Sequence, residues 1–102
     1  MTAYVVLFRE GPVKDPAEMN EYLRAGRARA ATVSLTPLVV YGAQTPLEGT
    51  PPDGVVILKF DSVEDAKAWY YDPAYQEAVV HRLKAADYRG VIVEGFEPGA
   101  NV

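Results

Sequence analysis

The sequence predicts a single α+β domain over residues 1–102: a ferredoxin-like βαββαβ fold, with a four-stranded antiparallel sheet and its helices on one face. Three observations predict it. Four apolar runs rich in Val, Ile, Tyr and Phe are bounded by Gly, Pro and polar residues, as strands are. Stretches of helical period with recognisable start signals follow the first and third runs. The runs are apolar at successive positions, so the sheet they build has two apolar faces.

The first strand takes residues 3–8. After it Met19, Tyr22, Leu23, Gly26, Ala30 and Val33 recur at three- and four-residue steps, with Glu18, Glu21, Arg24 and Arg27 on the other side. Asp15 and Pro16 supply an N-cap and a first-turn proline for this helix. The second and third strands take residues 38–43 and 55–60. Residues 44–53, with Pro46, Gly49, Pro51 and Pro52, are too many for a tight hairpin and predict an extended loop over a sheet edge.

Ser62 with Asp65 three residues on forms a capping-box pattern, opening a short helix that carries Val63, Ala66, Trp69 and Tyr70. At Asp72-Pro73 the helix must restart, because proline is excluded from a helix interior but suits a first turn. The second segment runs through Tyr75, Val79, Leu83 and Ala86 to end near Tyr88. The fourth strand takes residues 91–96. Right-handed crossovers then set both helical layers on the same face of the sheet.

That leaves the other face bare. Tyr4-Val5-Val6-Leu7-Phe8, Val55-Val56-Ile57-Leu58 and Val91-Ile92-Val93 are apolar toward both sides. An uncovered face of this kind exceeds the few hundred Å² of contiguous apolar surface that soluble monomers leave exposed. The sequence therefore predicts a homodimer through the open sheet face. Composition points the same way: 49% of the 102 residues are hydrophobic, in a chain short enough to bury only about 60–70% of its unfolded surface.

The formal charge of −4 argues against nucleic acid, which requires a basic stripe. The one basic cluster, Arg24, Arg27 and Arg29, is interleaved with alanines and reads as a solvated helix face. The chain contains no cysteine, which removes disulfides, thiolate nucleophiles and Cys-ligated metals. The apolar start lacks a basic leader, and no stretch approaches the ~18 apolar residues of a membrane span. A cytoplasmic protein is expected, with no membrane partner. No metal constellation or phosphate-cradling loop is visible, so no cofactor is expected; Gly42, Gly49 and Gly54 punctuate turns.

Few residues are left to carry chemistry. His81 is the single histidine and needs a carboxylate partner to act as a general base. Arg82 stands at helical spacing from Tyr75, Ala78 and Ala85, on or beside the apolar stripe, where a guanidinium is costly unless paired. It either bridges to Asp87, Glu48 or Glu94, or anchors an anionic oxygen of a ligand. Glu48 lies in the long loop, where binding residues concentrate. Tyr41, Trp69 and Tyr75 are the aromatics expected to border a binding cavity, within a set that also includes Tyr4, Tyr70 and Tyr71.

The order Leu47-Glu48-Gly49, Val56-Ile57-Leu58-Lys59-Phe60-Asp61-Ser62, Ala66-Lys67-Ala68-Trp69-Tyr70, Asp72-Pro73-Ala74-Tyr75-Gln76, Arg82, Ala85-Ala86-Asp87 and Val91-Ile92-Val93-Glu94-Gly95 resembles the domain of unknown function 1330 family. The resemblance is strongest from Leu47 to Gly95; Ser34-Leu35-Thr36-Pro37 stands where the family favours an alanine- or glycine-rich turn. It implies the dimeric α+β barrel superfamily, whose members include cofactor-free monooxygenases, muconolactone-type isomerases, polyketide cyclases and haem-degrading proteins. Their sites lie between sheet and helices. Fold alone does not fix chemistry.

Two readings stand at this point. In one, the protein is a cofactor-independent enzyme acting on a small hydrophobic carbonyl or aromatic compound, with Arg82 holding an oxyanion and His81 or Glu48 moving a proton. In the other, it is a non-catalytic dimeric binding or regulatory module. An Arg82-bordered cavity of about 300–1,000 Å³ favours a ligand.

Overall fold

The structure, a computed structural model, describes residues 1–28 and 33–96. Its elements are β1 (Ala3–Arg9), α1 (Pro16–Ala28), β2 (Leu35–Val40), β3 (Gly54–Phe60), α2 (Val63–Tyr70), α3 (Pro73–Ala85) and β4 (Tyr88–Glu94). The four strands form one antiparallel sheet in the order β2-β3-β1-β4. This is the βαββαβ arrangement expected.

The start signals work as the residue types dictate. The Asp15 carboxylate accepts from the Glu18 amide at 3.2 Å, ahead of Pro16 in the first turn of α1. Ser62 Oγ accepts from the Asp65 amide at 3.0 Å. Asp72 Oδ1 accepts from the Ala74 amide at 2.9 Å, with Pro73 at the first position of α3. Caps of this kind are worth about 0.5–2 kcal/mol each.

Three boundaries differ from the expected ones. β2 lies three residues earlier than 38–43, and Pro37 sits inside it. Proline is tolerated there because β2 is an edge strand and the register slips between Pro37 and Val39. β4 begins at Tyr88 instead of residue 91, and α3 stops at Ala85. Helix α1 is described as far as Ala28, and Val33 lies outside it, packed against the core; Arg29 and Ala30 fall outside the described residues. Residues 44–53 contain no strand or helix, as expected, and the loop is pinned by Gln44 donating to the Pro52 carbonyl at 2.8 Å.

Register assigns the faces. Val5, Leu58 and Ile92 share one side, as do Leu7 and Val56. These pack with Phe60, Ala66, Trp69, Tyr75 and Val79 into the core between sheet and helices. Trp69 is its centre: its ring lies 5.4 Å from Phe60 and 4.3 Å from Tyr75. Burying one such side chain contributes about 1.5–3 kcal/mol. On the other side of the sheet lie Tyr4, Val6, Phe8, Val55, Ile57, Val91 and Val93. Among the described residues no helix packs over them; Val91 is 51% and Val93 47% exposed.

Candidate functional site

Helix α3 carries Arg82 inward, toward the sheet. It is the one buried charged residue among those described, at 3% exposure. It borders a half-open cleft of about 350 Å³ between β1, β4 and the ends of α2 and α3. Val5, Leu7 and Ile92 form the apolar floor, with Tyr70, Tyr71 and Tyr88 around it. Gly90 belongs to the floor for a steric reason: a Cβ there would stand 2.8 Å from a Leu7 methyl.

Among the described residues no carboxylate pairs with the Arg82 guanidinium. Its Nε and Nη1 are buried without a hydrogen-bond partner among the described residues. The bridges considered from sequence do not form: Asp87 pairs with Lys14 at 2.9 Å, and neither Glu48 nor Glu94 makes an ion pair with Arg82. Instead the cation lies over aromatic faces, 4.7 Å from the Tyr88 ring centre and 5.9 Å from that of Tyr22. A second arginine at the cleft, Arg89, is neutralised by Glu10, which accepts from its Nε at 2.9 Å and its Nη2 at 2.6 Å.

Tyr41 stands just after β2 with a left-handed backbone, φ 53°. That conformation is rare for a bulky side chain. It folds the ring across Gly54, where an added Cβ would meet Tyr41 Cδ1 at 2.7 Å. The Tyr41 hydroxyl then reaches the Tyr88 hydroxyl at 2.6 Å, joining the β2 edge of the sheet to the β4 edge. Burial, chiefly, pushes the Tyr41 phenol well above its ordinary value. Tyr75 is also pushed up by burial, and its hydroxyl meets that of Tyr22 at 2.9 Å.

The other candidates lie elsewhere. His81 turns to α1, where its Nδ1 meets Glu18 Oε2 at 2.5 Å. This is the carboxylate partner that the sequence left unidentified. Neither residue lines the cleft, and Glu48 is exposed in the long loop away from it. Trp69 and Tyr75 belong to the core beneath, and Tyr41 touches the cleft through Tyr88. Tyr22, Tyr88 and Glu18 were not singled out from sequence. Tyr88 had a signal, since Tyr88, Gly90 and Ile92 alternate along a strand; the pairing of residues 18 and 81 had none.

Among the described residues, no three His, Asp or Glu side chains gather as a metal site, and no helix is long and apolar enough to cross a membrane. The site's chemistry is thus one guanidinium, uncompensated among the described residues, above an apolar, phenol-rimmed cleft. It suits holding a negatively charged oxygen on an otherwise apolar molecule.

Fold and cleft together define a small α+β domain of ferredoxin-like type. The chain belongs to the family of domains of unknown function DUF1330, whose model matches residues 2–96. The solved structures it is similar to share its fold. The methylated RPA0582 protein, from Rhodopseudomonas palustris, has a TM-score of 0.69 at 20% identity, over 97% of this chain and 84% of that one. An ethyl tert-butyl ether d (ethd) family protein from Bacillus halodurans has a TM-score of 0.61 at 14% identity, over 94% and 100%. A dimeric protein of unknown function and ferredoxin-like fold from Bacteroides fragilis has a TM-score of 0.55 at 18% identity, over 92% and 95%. No curated protein matches the sequence.

Proposed function

We propose that this protein is a homodimer whose clefts each bind a small apolar carbonyl or aromatic compound through an anionic oxygen held by Arg82. One observation carries the reading: a guanidinium at 3% exposure borders a cleft of ligand size with donors that no described residue uses. Leaving buried donors unmade costs about 1–3 kcal/mol, and a bound anion removes that cost. The homodimer rests on the uncovered sheet face, Val6, Ile57, Val91 and Val93 above all. The Bacteroides fragilis relative, described as dimeric, supports it.

In its catalytic form the reading is a cofactor-independent isomerase, cyclase or monooxygenase, with Arg82 stabilising an enolate or phenolate oxygen. Proton transfer in that form falls to His81 or Glu48, neither of which lines the cleft. The non-catalytic binding module is favoured by a specific observation: among the described residues, no carboxylate or imidazole lines the cleft. Both forms share the anchor.

Native mass spectrometry of the protein purified from its own host tests the shared part. A dimer retaining an organic acid or phenolic compound, lost in Arg82→Met, is the expected result. A monomer, or a dimer equally empty in both proteins, contradicts it.

A further inference from the structure

Arginine carries five N–H donors and is ordinarily fixed, when buried, by a carboxylate that spends those donors and cancels the charge. Arg82 is fixed another way. Two aromatic rings flank its guanidinium, those of Tyr88 at 4.7 Å and Tyr22 at 5.9 Å, within the range of a cation–π contact. Each ring is in turn tied by a hydroxyl–hydroxyl bond to a second tyrosine: Tyr88 to Tyr41 at 2.6 Å, Tyr22 to Tyr75 at 2.9 Å. The four residues come from four places in the chain, the start of β4, the end of β2, α1 and α3. Tyr41 reaches its partner only through a left-handed backbone and across a glycine with no room for a methyl group. A strained residue of this kind persists where its surroundings over-determine it.

We infer that Tyr41 and Tyr75 are positioning residues that brace Arg82 through the Tyr88 and Tyr22 rings, holding the guanidinium in place while leaving its charge and donors free for an anion. The brace is read from geometry alone; only the use of the freed donors rests on the ligand reading above. Supporting it, both positioning phenols are held protonated past the ordinary tyrosine range, Tyr75 by its burial and Tyr41 also by its bond to Tyr88, so each remains able to donate.

The test uses the full chain, ¹⁵N-labelled, with benzoate as the probe anion. In the wild type the Arg82 Nε–H cross-peak, assigned by its loss in Arg82→Lys, should be sharp and slow to exchange with water. Tyr41→Phe and Tyr75→Phe keep the rings and remove one hydroxyl each. In both, the Arg82 Nε–H peak should broaden and exchange faster, and benzoate affinity should fall on the order of three- to ten-fold, with Tm lower by only a few degrees. Lys67→Gln, exposed on α2 and outside the cleft, should change neither. An Arg82 Nε–H peak unchanged in both Phe variants overturns the brace, and either variant suffices should the other fail to fold. If benzoate does not bind the wild type at all, the ligand reading fails, while the Nε–H peak still decides the brace.

Discussion

The Arg82 guanidinium lies 4.7 Å from the centre of the Tyr88 ring, with no carboxylate at its nitrogens among the described residues. A buried cation held by an aromatic face keeps its full charge. This contact separates a ligand anchor from a structural ion pair, and it sets the sign of the first prediction.

Replacing Arg82 with Met should leave the fold and the oligomeric state of the wild type intact, with Tm unchanged or raised. The substitution removes buried unsatisfied donors and fills similar space with apolar atoms. Binding of benzoate, followed by calorimetry, should be lost. A Met variant that unfolds would show that the guanidinium is needed for structure.

Gly54→Ala places a methyl group where the Tyr41 ring lies, 2.7 Å from Cδ1 and 2.9 Å from Cε1. The ring must move, at a cost of about 1–3 kcal/mol, and the hydroxyl contact to Tyr88 goes with it. Chemical denaturation of Gly54→Ala and Tyr41→Phe should show the alanine variant to be the less stable of the two. Equal stabilities would mean that the ring is not fixed over Gly54.

Ile57→Lys or Val93→Lys puts a charge on the open sheet face. If that face is the dimer interface, each should weaken association by on the order of 3–5 kcal/mol, read by sedimentation equilibrium. A dimer of unchanged affinity in both variants would place the interface elsewhere.

His81 and Glu18 tie α3 to α1 at partly exposed positions. Loss of the pair in Glu18→Gln should cost about 0.2–1 kcal/mol and leave benzoate affinity as it was. A large change in affinity would bring this pair into the site's chemistry.

Alkaline pH should destabilise the protein through Tyr41 and Tyr75. Both phenols have folded-state pKa values raised above the ordinary 10.0 by burial. The folded state therefore holds their protons more tightly than the unfolded state does. Their contribution is complete below pH 10 and falls as pH rises beyond it. Subtracting the 295 nm titration of Tyr41→Phe from that of the wild type should reveal an ionisation displaced above pH 10. A difference curve centred at 10 would contradict a raised Tyr41 phenol.

Much of the fold was legible because its signals are local. Asp15-Pro16, Ser62 with Asp65, and Asp72-Pro73 each announce a helix start through hydrogen bonds spanning two or three residues. The bare sheet face was legible from apolar runs without alternation. The edge strands were misplaced because their signals conflict: Pro37 argues against a strand interior, and Gly90 dilutes the start of β4. Arg82 stood out by its place on the apolar stripe, but its surroundings did not. Tyr22, Tyr41, Tyr75 and Tyr88 meet only once the chain has folded, through contacts 47 and 53 residues apart. No spacing rule encodes such pairs.

The most direct test of the account is a ¹H–¹⁵N titration of the wild-type protein and of Arg82→Met with benzoate. The account predicts saturable shifts at the Arg82 Nε–H and at the Gly90 and Ile92 amides of the cleft in the wild type, and none in the Met variant. Shifts of equal size in both proteins, or no saturable shift in the wild type, would contradict the claim that Arg82 anchors an anion there.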